Sequence, residues 1–534
     1  MEHSSVEKRG MLIAGLIIAM LFAALDGTIV GTAMPNIVGD FGGLSLMTWL
    51  TTAYMLTSTT IVPIAGKLAD LLGRKLVYIT GLIIFIAGSA LCGMAQNMPE
   101  LIWFRAMQGL GGGIMMPMAM IIIGDLFSGK ERAKWQGIFG AIYGLSSVIG
   151  PQIGGFIVDS WNWRWVFYIN LPVGLLAVFL IAAGLKAHKA TGPVKFDFAG
   201  MTTMIIGVVS LLLALSFGGV DYAWGSWQII GLFTVAVVTL TAFVFIESKV
   251  AEPILPVRFF MNKTFSMLNG IGFLMAVGMF GAIMFVPLFM QGIVGISATA
   301  SGTVMTPLMI SMIIASIIGG QIVYKLGVRR QIAAGMIIMA GGFGLLTTLD
   351  METTKIVASS FMAVIGIGMG MVMPILTLAL QESFPKSELG VVTSSSQFFR
   401  QIGGTFGMTV LGAIMNAKST HLLQDKLVPV LDNMPADAAA QVNPMKEMVN
   451  TNPQGLYSNL LNPDALKAMP EQFVNAIVPI MKSSLVTSLH QVFIFGLIFV
   501  ILGVLLTPFL GSIKLTERKK TKKGKQEAVD TAAV

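Results

Sequence analysis

Residues 11–34 read MLIAGLIIAMLFAALDGTIVGTAM. As a helix rising ~1.5 Å per residue, this stretch clears the ~30 Å hydrocarbon core of a bilayer. Asp26 lies inside it. A charged side chain near the bilayer centre costs ~2.5–3.5 kcal/mol, so Asp26 must face protein or water rather than lipid. The remaining sequence repeats the same pattern. Apolar residues make up 55% of the 534-residue chain and charged residues 11%. That charged share is about half the usual one for a soluble domain. The apolar residues fall in long runs broken by short polar links, which predicts an all-α polytopic membrane protein and excludes the alternation of a β-barrel.

Fourteen spans are expected, near 11–34, 47–68, 76–96, 100–124, 135–158, 163–185, 198–218, 227–247, 265–290, 299–324, 331–350, 355–380, 392–416 and 484–510. Charge sets their direction. With residues 1–10 inside, the inner links hold Lys8, Arg9, Lys67, Arg74, Lys75, Lys130, Arg132, Lys134, Lys249, Arg258, Lys325, Arg329 and Arg330, whereas the short outer links hold little beyond Arg164 and Lys355. This asymmetry predicts both termini in the cytoplasm of a cell-membrane protein. Trp49, Trp103, Trp161, Trp163, Trp165, Trp224 and Trp227 all fall at the outer boundary, where an interfacial belt is expected. The net charge of +8 owes much to residues 511–534, a basic tail following the last span. There it serves the cytoplasmic end and anionic lipid, not nucleic acid. Residues 417–483, rich in Pro, Asn and Asp, read as a passive, partly ordered outer loop rather than a lid.

Two links repeat. Gly66-Lys-Leu-Ala-Asp70-Leu-Leu-Gly73-Arg74-Lys75 follows the second span, and Gly320-Gln-Ile-Val-Tyr-Lys325-Leu-Gly327-Val-Arg329-Arg330 follows the tenth. The glycines keep their separation. This predicts two six-helix bundles, 11–185 and 265–510, with 198–247 inserted between them, an arrangement common among secondary transporters. Tyr324 stands where Asp70 stands in the first link, so only the first link carries the acid.

Charges and glycines then mark a candidate site. Asp70, beside Arg74 and near Asp125 and Arg132 at the inner ends of two spans, reads either as a latch of one conformation or as a solvated turn. Arg105 lies ~8 Å below the outer surface and Asp26 ~21 Å above the inner one, at ~1.5 Å per residue, so the two, with Gln108, fall at one depth and can pair. Gly144, Gly150, Pro151, Gly154 and Gly155 read as a close-packing face on a bent fifth span. Arg400, deep in the thirteenth span, binds either an anionic cargo group or protein carbonyls and glutamines. The single cysteine, Cys92, forms no internal disulfide, and His3, His188, His421 and His490 form no metal-ligand cluster. No Walker-type glycine loop is present, which argues against direct ATP use, and no catalytic constellation points to an enzyme.

These motifs resemble those of the major facilitator superfamily, in its fourteen-span drug:proton antiporter branch of the EmrB/QacA type. Leu25-Asp26-Gly-Thr28-Ile29-Val30 with Ala33-Met-Pro35 resembles the first-helix motif, residues 66–75 the loop motif, Arg105 with Gln108-Gly109 the fourth-helix motif, and Gly144 with Gly150-Pro151 and Gly154-Gly155 the antiporter motif. Trp163-Arg164-Trp165-Val-Phe167 with Asn170-Leu-Pro172, then Asp197 and Gly200, is similar to the entry of the extra helices. The resemblance implies a major facilitator fold and proton-coupled efflux of amphipathic drugs, dyes or antiseptics, with the proton gradient as energy source and no cofactor. Asp26, Arg105 and Gln108 are the implied coupling residues, with Asp26 shared in turn by proton and cargo. Spans nine and ten carry no acid, unlike some relatives, which argues against dications. Export of one antibiotic, lipid or metabolite, proton-coupled import, and a non-transporting sensor on the same fold are the other readings. The partners implied are small amphipathic molecules and the bilayer; the sequence names no protein partner.

Overall fold

In the computed structural model the described residues are 2–41, 46–127, 129–186, 196–219, 221–296, 298–434, 439–451, 456–457, 471–511 and 513. Helices account for nearly all of them. The long ones are α1 (Glu2–Phe41), α2 (Met47–Leu72), α3 (Arg74–Met94), α4 (Met98–Leu126), α5 (Gly129–Ser160), α6 (Asn170–Gly184), α7 (Phe198–Phe217), α8 (Trp227–Glu247), α9 (Lys263–Gly292), α10 (Thr306–Leu326), α11 (Val328–Leu346), α12 (Lys355–Ser383), α13 (Leu389–Lys426) and α14 (Glu471–Leu506). Among the described residues eleven candidate spans are long and apolar enough to cross a membrane. The other three expected spans coincide with α5, α11 and α13. On α11 and α13 the apolar runs are diluted, by Arg329, Arg330 and Gln331 on the first and by Ser394, Ser395, Gln397 and Arg400 on the second. Helices that face a protein interior need less apolar surface than helices that face lipid.

The first and last six helices pack by the same plan. α1 lies against α5 and α6, and α2 against α4; correspondingly α9 lies against α13 and α14, and α10 against α12. Each half has its own apolar interior, one around Leu16, Tyr78, Phe85, Met118 and Phe139, the other around Phe265, Phe285, Phe289, Phe343 and Phe493. The halves meet along two seams, α2 against α13 and α5 against α10. The inserted hairpin α7–α8 packs beside the first seam, where Met204, Val208, Leu212 and Phe243 join Leu56 and Val62 of α2 and Phe398 of α13.

The repeated links fold alike. Gly73, between α2 and α3, has φ 90° and ψ 148°, and Gly327, between α10 and α11, has φ 82° and ψ 151°. Only glycine adopts this backbone readily, because a Cβ would strike the neighbouring carbonyl. Gly66 permits a second requirement of the turn's neighbourhood. A Cβ there would collide with Ser394 Oγ and come within 2.6 Å of Gly390 O, so α2 and α13 touch backbone to backbone at this end of the seam.

Two expectations are corrected. Trp163 is buried rather than part of an interfacial belt: its indole N–H donates to Asp40 Oδ2 at 2.7 Å, and its ring meets those of Phe41 and Phe167. The described part of 417–483 is helical rather than a passive loop. α13 runs on to Lys426, short helices follow at Val428–Asp432 and Ala439–Thr451, and α14 already begins at Glu471. Leu423, Leu427 and Leu431, with Met445 and Val449, bury one apolar stripe against the second half's core. Apart from Ile513, residues 512–534, which hold the basic tail, lie outside the described residues.

Candidate functional site

Asp26 is 1% exposed and Arg105 2%. Arg105 Nη1 donates to Asp26 Oδ2 at 2.7 Å and to Gln108 Oε1 at 2.6 Å. Gln108 Nε2 donates to Asp26 Oδ1 at 2.8 Å and to Ser89 Oγ at 2.6 Å. Asn170 Nδ2 donates to Asp26 Oδ1 at 3.0 Å. The guanidinium also lies 4.3 Å from the centre of the Tyr54 ring, and its Nε donates to Leu50 O at 3.4 Å. The depth count thus brought the right three residues together, and the fold adds Asn170, Ser89 and Tyr54, which it missed. An amide at the start of α6, at the depth of Asp26, was the available signal for Asn170. The network ties α1, α3, α4 and α6 to each other and touches α2 through Arg105. Such a buried ion pair gains little net stability, because desolvation offsets its attraction, but removing one partner costs ~3–5 kcal/mol.

At the face where α1 begins, called here the N-terminal face, the two halves are fastened. Asp70 pairs with Arg74 at 2.6 Å and accepts from Gly390 N at 3.1 Å and Val391 N at 3.0 Å, in the first turn of α13. A carboxylate at a helix N-terminus satisfies orphan N–H groups and opposes the helix dipole. Arg74 also pairs with Asp125 at 3.0 Å. Arg132 does not hydrogen-bond within this cluster. It crosses to Glu382 on α12 at 2.8 Å and donates to Phe127 O and Gly124 O. Beside it Gln136 Nε2 donates to Gln381 Oε1 at 3.1 Å, and Gln381 Nε2 to Met120 O at 3.1 Å. Gln381 and Glu382 end α12 as Gly124 and Asp125 end α4, so the repeat itself held the signal that would have found them.

The small residues of α5 divide between two neighbours. A Cβ on Gly150 or Gly154 would collide with the hydroxyl of Thr28 or Thr32, so α5 packs closely on α1 next to Asp26. Gly144 faces α10, where a Cβ would come within 2.9 Å of Met312 Cε across the seam. A Cβ on Gly155 would meet nothing within 4 Å, so Gly155 lies off the packing face expected for it. Pro151 sits within α5, and its side chain falls outside the described residues. Arg400 is mostly buried, donating to Gln397 Oε1 at 2.5 Å, Thr377 Oγ1 at 3.2 Å and Ser396 Oγ at 3.4 Å. Its surroundings are side-chain hydroxyls and a glutamine, in line with the protein-partner reading.

Between the halves, on the side away from the N-terminal face, lies a cavity of about 510 Å³. Met34, Met47, Met55, Met284, Phe285 and Met408 give it a largely apolar wall, with Thr51, Thr405, Thr409 and Asn416 among the polar contributors. None of its described lining residues carries a charge, and Asp26 is not among them. Its size is that of sites for drug-sized molecules. Among the described residues no group of three or more His, Cys, Asp or Glu is placed to hold a metal ion.

Comparison with known proteins accords with this anatomy. Among curated relatives, the chain is 69% identical over 518 residues to the Multidrug transporter protein MdtP of Bacillus subtilis (strain 168), covering 97% of this chain and 96% of that protein. It is 37% identical over 513 residues to Multidrug resistance protein 3 of the same organism, covering 96% and 97%. Among solved structures it is similar in fold to the human organic anion transporter MFSD10 (TM-score 0.58, 13% identity, 76% of this chain and 93% of that one) and to the proton:xylose symporter XylE (TM-score 0.56, 14% identity, 78% and 91%). Residues 16–408 match the Major Facilitator Superfamily as a family. With two pseudo-equivalent six-helix halves around a central cavity, and a family match over most of its length, the chain is a multi-pass membrane transporter of the Major Facilitator Superfamily, not an enzyme.

Proposed function

We propose that this transporter exports amphipathic compounds across the cell membrane in exchange for protons, with its N-terminal face in the cytoplasm. The carrying observation is the buried Asp26–Arg105 pair, whose attraction vanishes when Asp26 takes a proton. The names of the two Bacillus relatives support drug-like cargo, and the excess of Lys and Arg in the links on the N-terminal face supports the orientation.

The geometry describes a state closed at the N-terminal face, with the cavity on the far side. In the proposed cycle a proton reaches Asp26 from the outer side as cargo departs. The neutral carboxyl no longer holds Arg105 by charge. Arg105 then leans on Gln108 Oε1, Leu50 O and the Tyr54 ring, which shifts load onto α2. The far end of α2 carries Gly66 and Asp70, so that load reaches the fastening to α13. When the N-terminal face opens, the proton leaves to the cytoplasm, cargo enters, and the ion pair reforms as the face closes. Because Asp26 is not part of the cavity wall, proton and cargo exchange through the tilt of the halves rather than by occupying one carboxylate in turn. This replaces the sharing of Asp26 expected from sequence.

The test is dye flux in proteoliposomes under an imposed pH gradient. Wild-type protein drives a lipophilic cationic dye against the proton flow, a protonophore abolishes it, and Asp26→Asn stops the gradient-driven component. Full gradient-driven flux in Asp26→Asn refutes the proposal. Movement of dye in the same direction as protons identifies an importer instead.

A further inference from the structure

The inserted hairpin has no counterpart in the twofold plan of the two bundles, yet it does not stand apart. α7 lies across the seam of α2 and α13 and touches both. Phe217 meets the Trp49 ring of α2 at 5.1 Å, and Thr409 of α13 donates its hydroxyl to Leu215 O at 3.0 Å. The last turn and a half of α7, with the residues just after it, carries Leu212, Leu215, Ser216, Gly218 and Gly219, all of which line the cavity. About two turns nearer its start, α7 exposes Ile205 and Ile206, the surface a lipid-facing helix presents. The cavity therefore extends through the gap between α2 and α13 and ends on α7, which separates it from the bilayer.

We propose that α7 is a wall of the cargo site, and that the site it completes selects neutral or singly charged amphipathic molecules by shape and apolar contact rather than by ion pairing. This rests on the export reading above. The argument is chemical. No described lining residue ionises, and the membrane-depth acid Asp26, which is not among them, is saturated by Arg105, Gln108 and Asn170. A dication entering the cavity would shed hydration with no counter-charge to replace it. Methionines from α1, α2, α9 and α13 give a polarisable surface that adapts to different apolar bodies. The threonines and Asn416 provide neutral hydrogen-bonding groups. α7 lies outside both bundles, so it contributes to which cargo fits without being part of the fastening.

Cysteine protection tests this on the full-length protein in phosphatidylcholine nanodiscs. The native Cys92 is buried and serves as the blank. Leu215→Cys and Ser216→Cys report on the α7 wall, Met408→Cys on the α13 wall, and Ile205→Cys on the lipid side. Maleimide labelling rates are measured alone and with chloramphenicol (neutral), tetraphenylphosphonium (one charge) or dequalinium (two charges). At about ten times its dissociation constant, an occupant leaves about a tenth of the sites free, so labelling slows about tenfold. The expected result is such slowing at Leu215→Cys or Ser216→Cys, together with Met408→Cys, by the neutral and singly charged probes. Dequalinium and the Ile205→Cys control change the rates less than about twofold on the same scale. Protection at Met408→Cys without protection at either α7 position overturns the wall while leaving the export reading intact. Equal protection by dequalinium overturns the charge selectivity. No protection anywhere overturns the cavity as cargo site, and the export reading is then decided by the proteoliposome flux.

Discussion

Replacing Asp70 with asparagine weakens the closed N-terminal face by an amount the geometry sets. Asp70 accepts two N–H groups from the first turn of α13, at 3.1 and 3.0 Å, and its side chain is only 8% exposed, so solvent screens it little. Hydrogen bonds to a charged group contribute ~1.5–3 kcal/mol each and neutral ones ~0.5–1.5. Asparagine keeps one acceptor oxygen and loses the charge. Its pairing with Arg74 lies within one half and exists whether the face is open or closed, so losing it weighs on both states alike. The differential loss is about 2.5–4.5 kcal/mol, or about a 70–2000-fold change in the closed-to-open ratio. A population of about 99:1 then falls to about parity or below. Spin labels at Leu76→Cys and Ser387→Cys, exposed positions on either side of this contact, report the separation by double electron–electron resonance. The wild-type protein gives one short distance, and Asp70→Asn adds a substantial longer one. A distribution in which the populations move less than about twofold, ~0.4 kcal/mol, refutes the assignment of Asp70 as a state-dependent cap.

Further outcomes follow from the same contacts. Arg132→Gln removes the crossing to Glu382 but leaves Asp70 in place, so the same labels report a smaller shift of the same sign, about 1.5–3 kcal/mol for one charge-assisted bond. Gly150→Leu forces a side chain into Thr28 of α1 and lowers the thermal midpoint in detergent by the equivalent of ~1–3 kcal/mol, whereas Gly155→Ala, facing open space, leaves it unchanged; equal midpoints for the two variants contradict the packing. Gly73→Ala and Gly327→Ala each impose an unfavourable positive φ and cost ~1–2 kcal/mol by the same midpoint measurement, the two values agreeing because the two turns share one geometry. Asp26→Asn retains cargo counterflow while losing the gradient-driven component of flux; loss of both reports a folding defect instead and is separated from it by size-exclusion profile.

The parts legible in sequence were those written in long-range patterns. Apolar runs placed the helices, because crossing lipid demands a minimum length. The pairing of Asp26 with Arg105 was legible because two charges at one depth have few alternatives. The equivalence of Gly73 and Gly327 survives in the structure as one backbone conformation written twice. What escaped depends on packing between helices distant in sequence. Gln136 and Gln381 resemble any other amide until α5 is laid against α12. Asn170 and Ser89 are small polar residues in apolar stretches, a type that normally satisfies its own helix. Within 417–483 only weak helical pieces were legible among the prolines and asparagines, although Leu423, Leu427 and Leu431 keep a four-residue spacing that marks a buried stripe.

The arrangement of these parts makes α2 the element on which coupling depends. Its first third lines the cavity through Met47, Thr51 and Met55. On a neighbouring face Leu50 and Tyr54 meet Arg105. At its far end Gly66 and Asp70 hold α13. Leu50 and Asp70 are twenty positions apart, about 30 Å at ~1.5 Å per residue, so one continuous helix, with Pro63 inside it, joins the Asp26–Arg105 pair to the fastening. The other seam lacks this device, since Tyr324 stands at the position of Asp70 and the crossing is made instead by Arg132 with Glu382, from α5 to α12. In the proposed cycle, protonation of Asp26 therefore acts first on the α2–α13 seam, the seam that α7 spans. If α5 and α10 hold their contact while α2 and α13 separate, the halves tilt about the α5–α10 side, and the cavity changes shape most along its α7 wall. Cargo selection and proton coupling thus converge on one side of the molecule without sharing a residue.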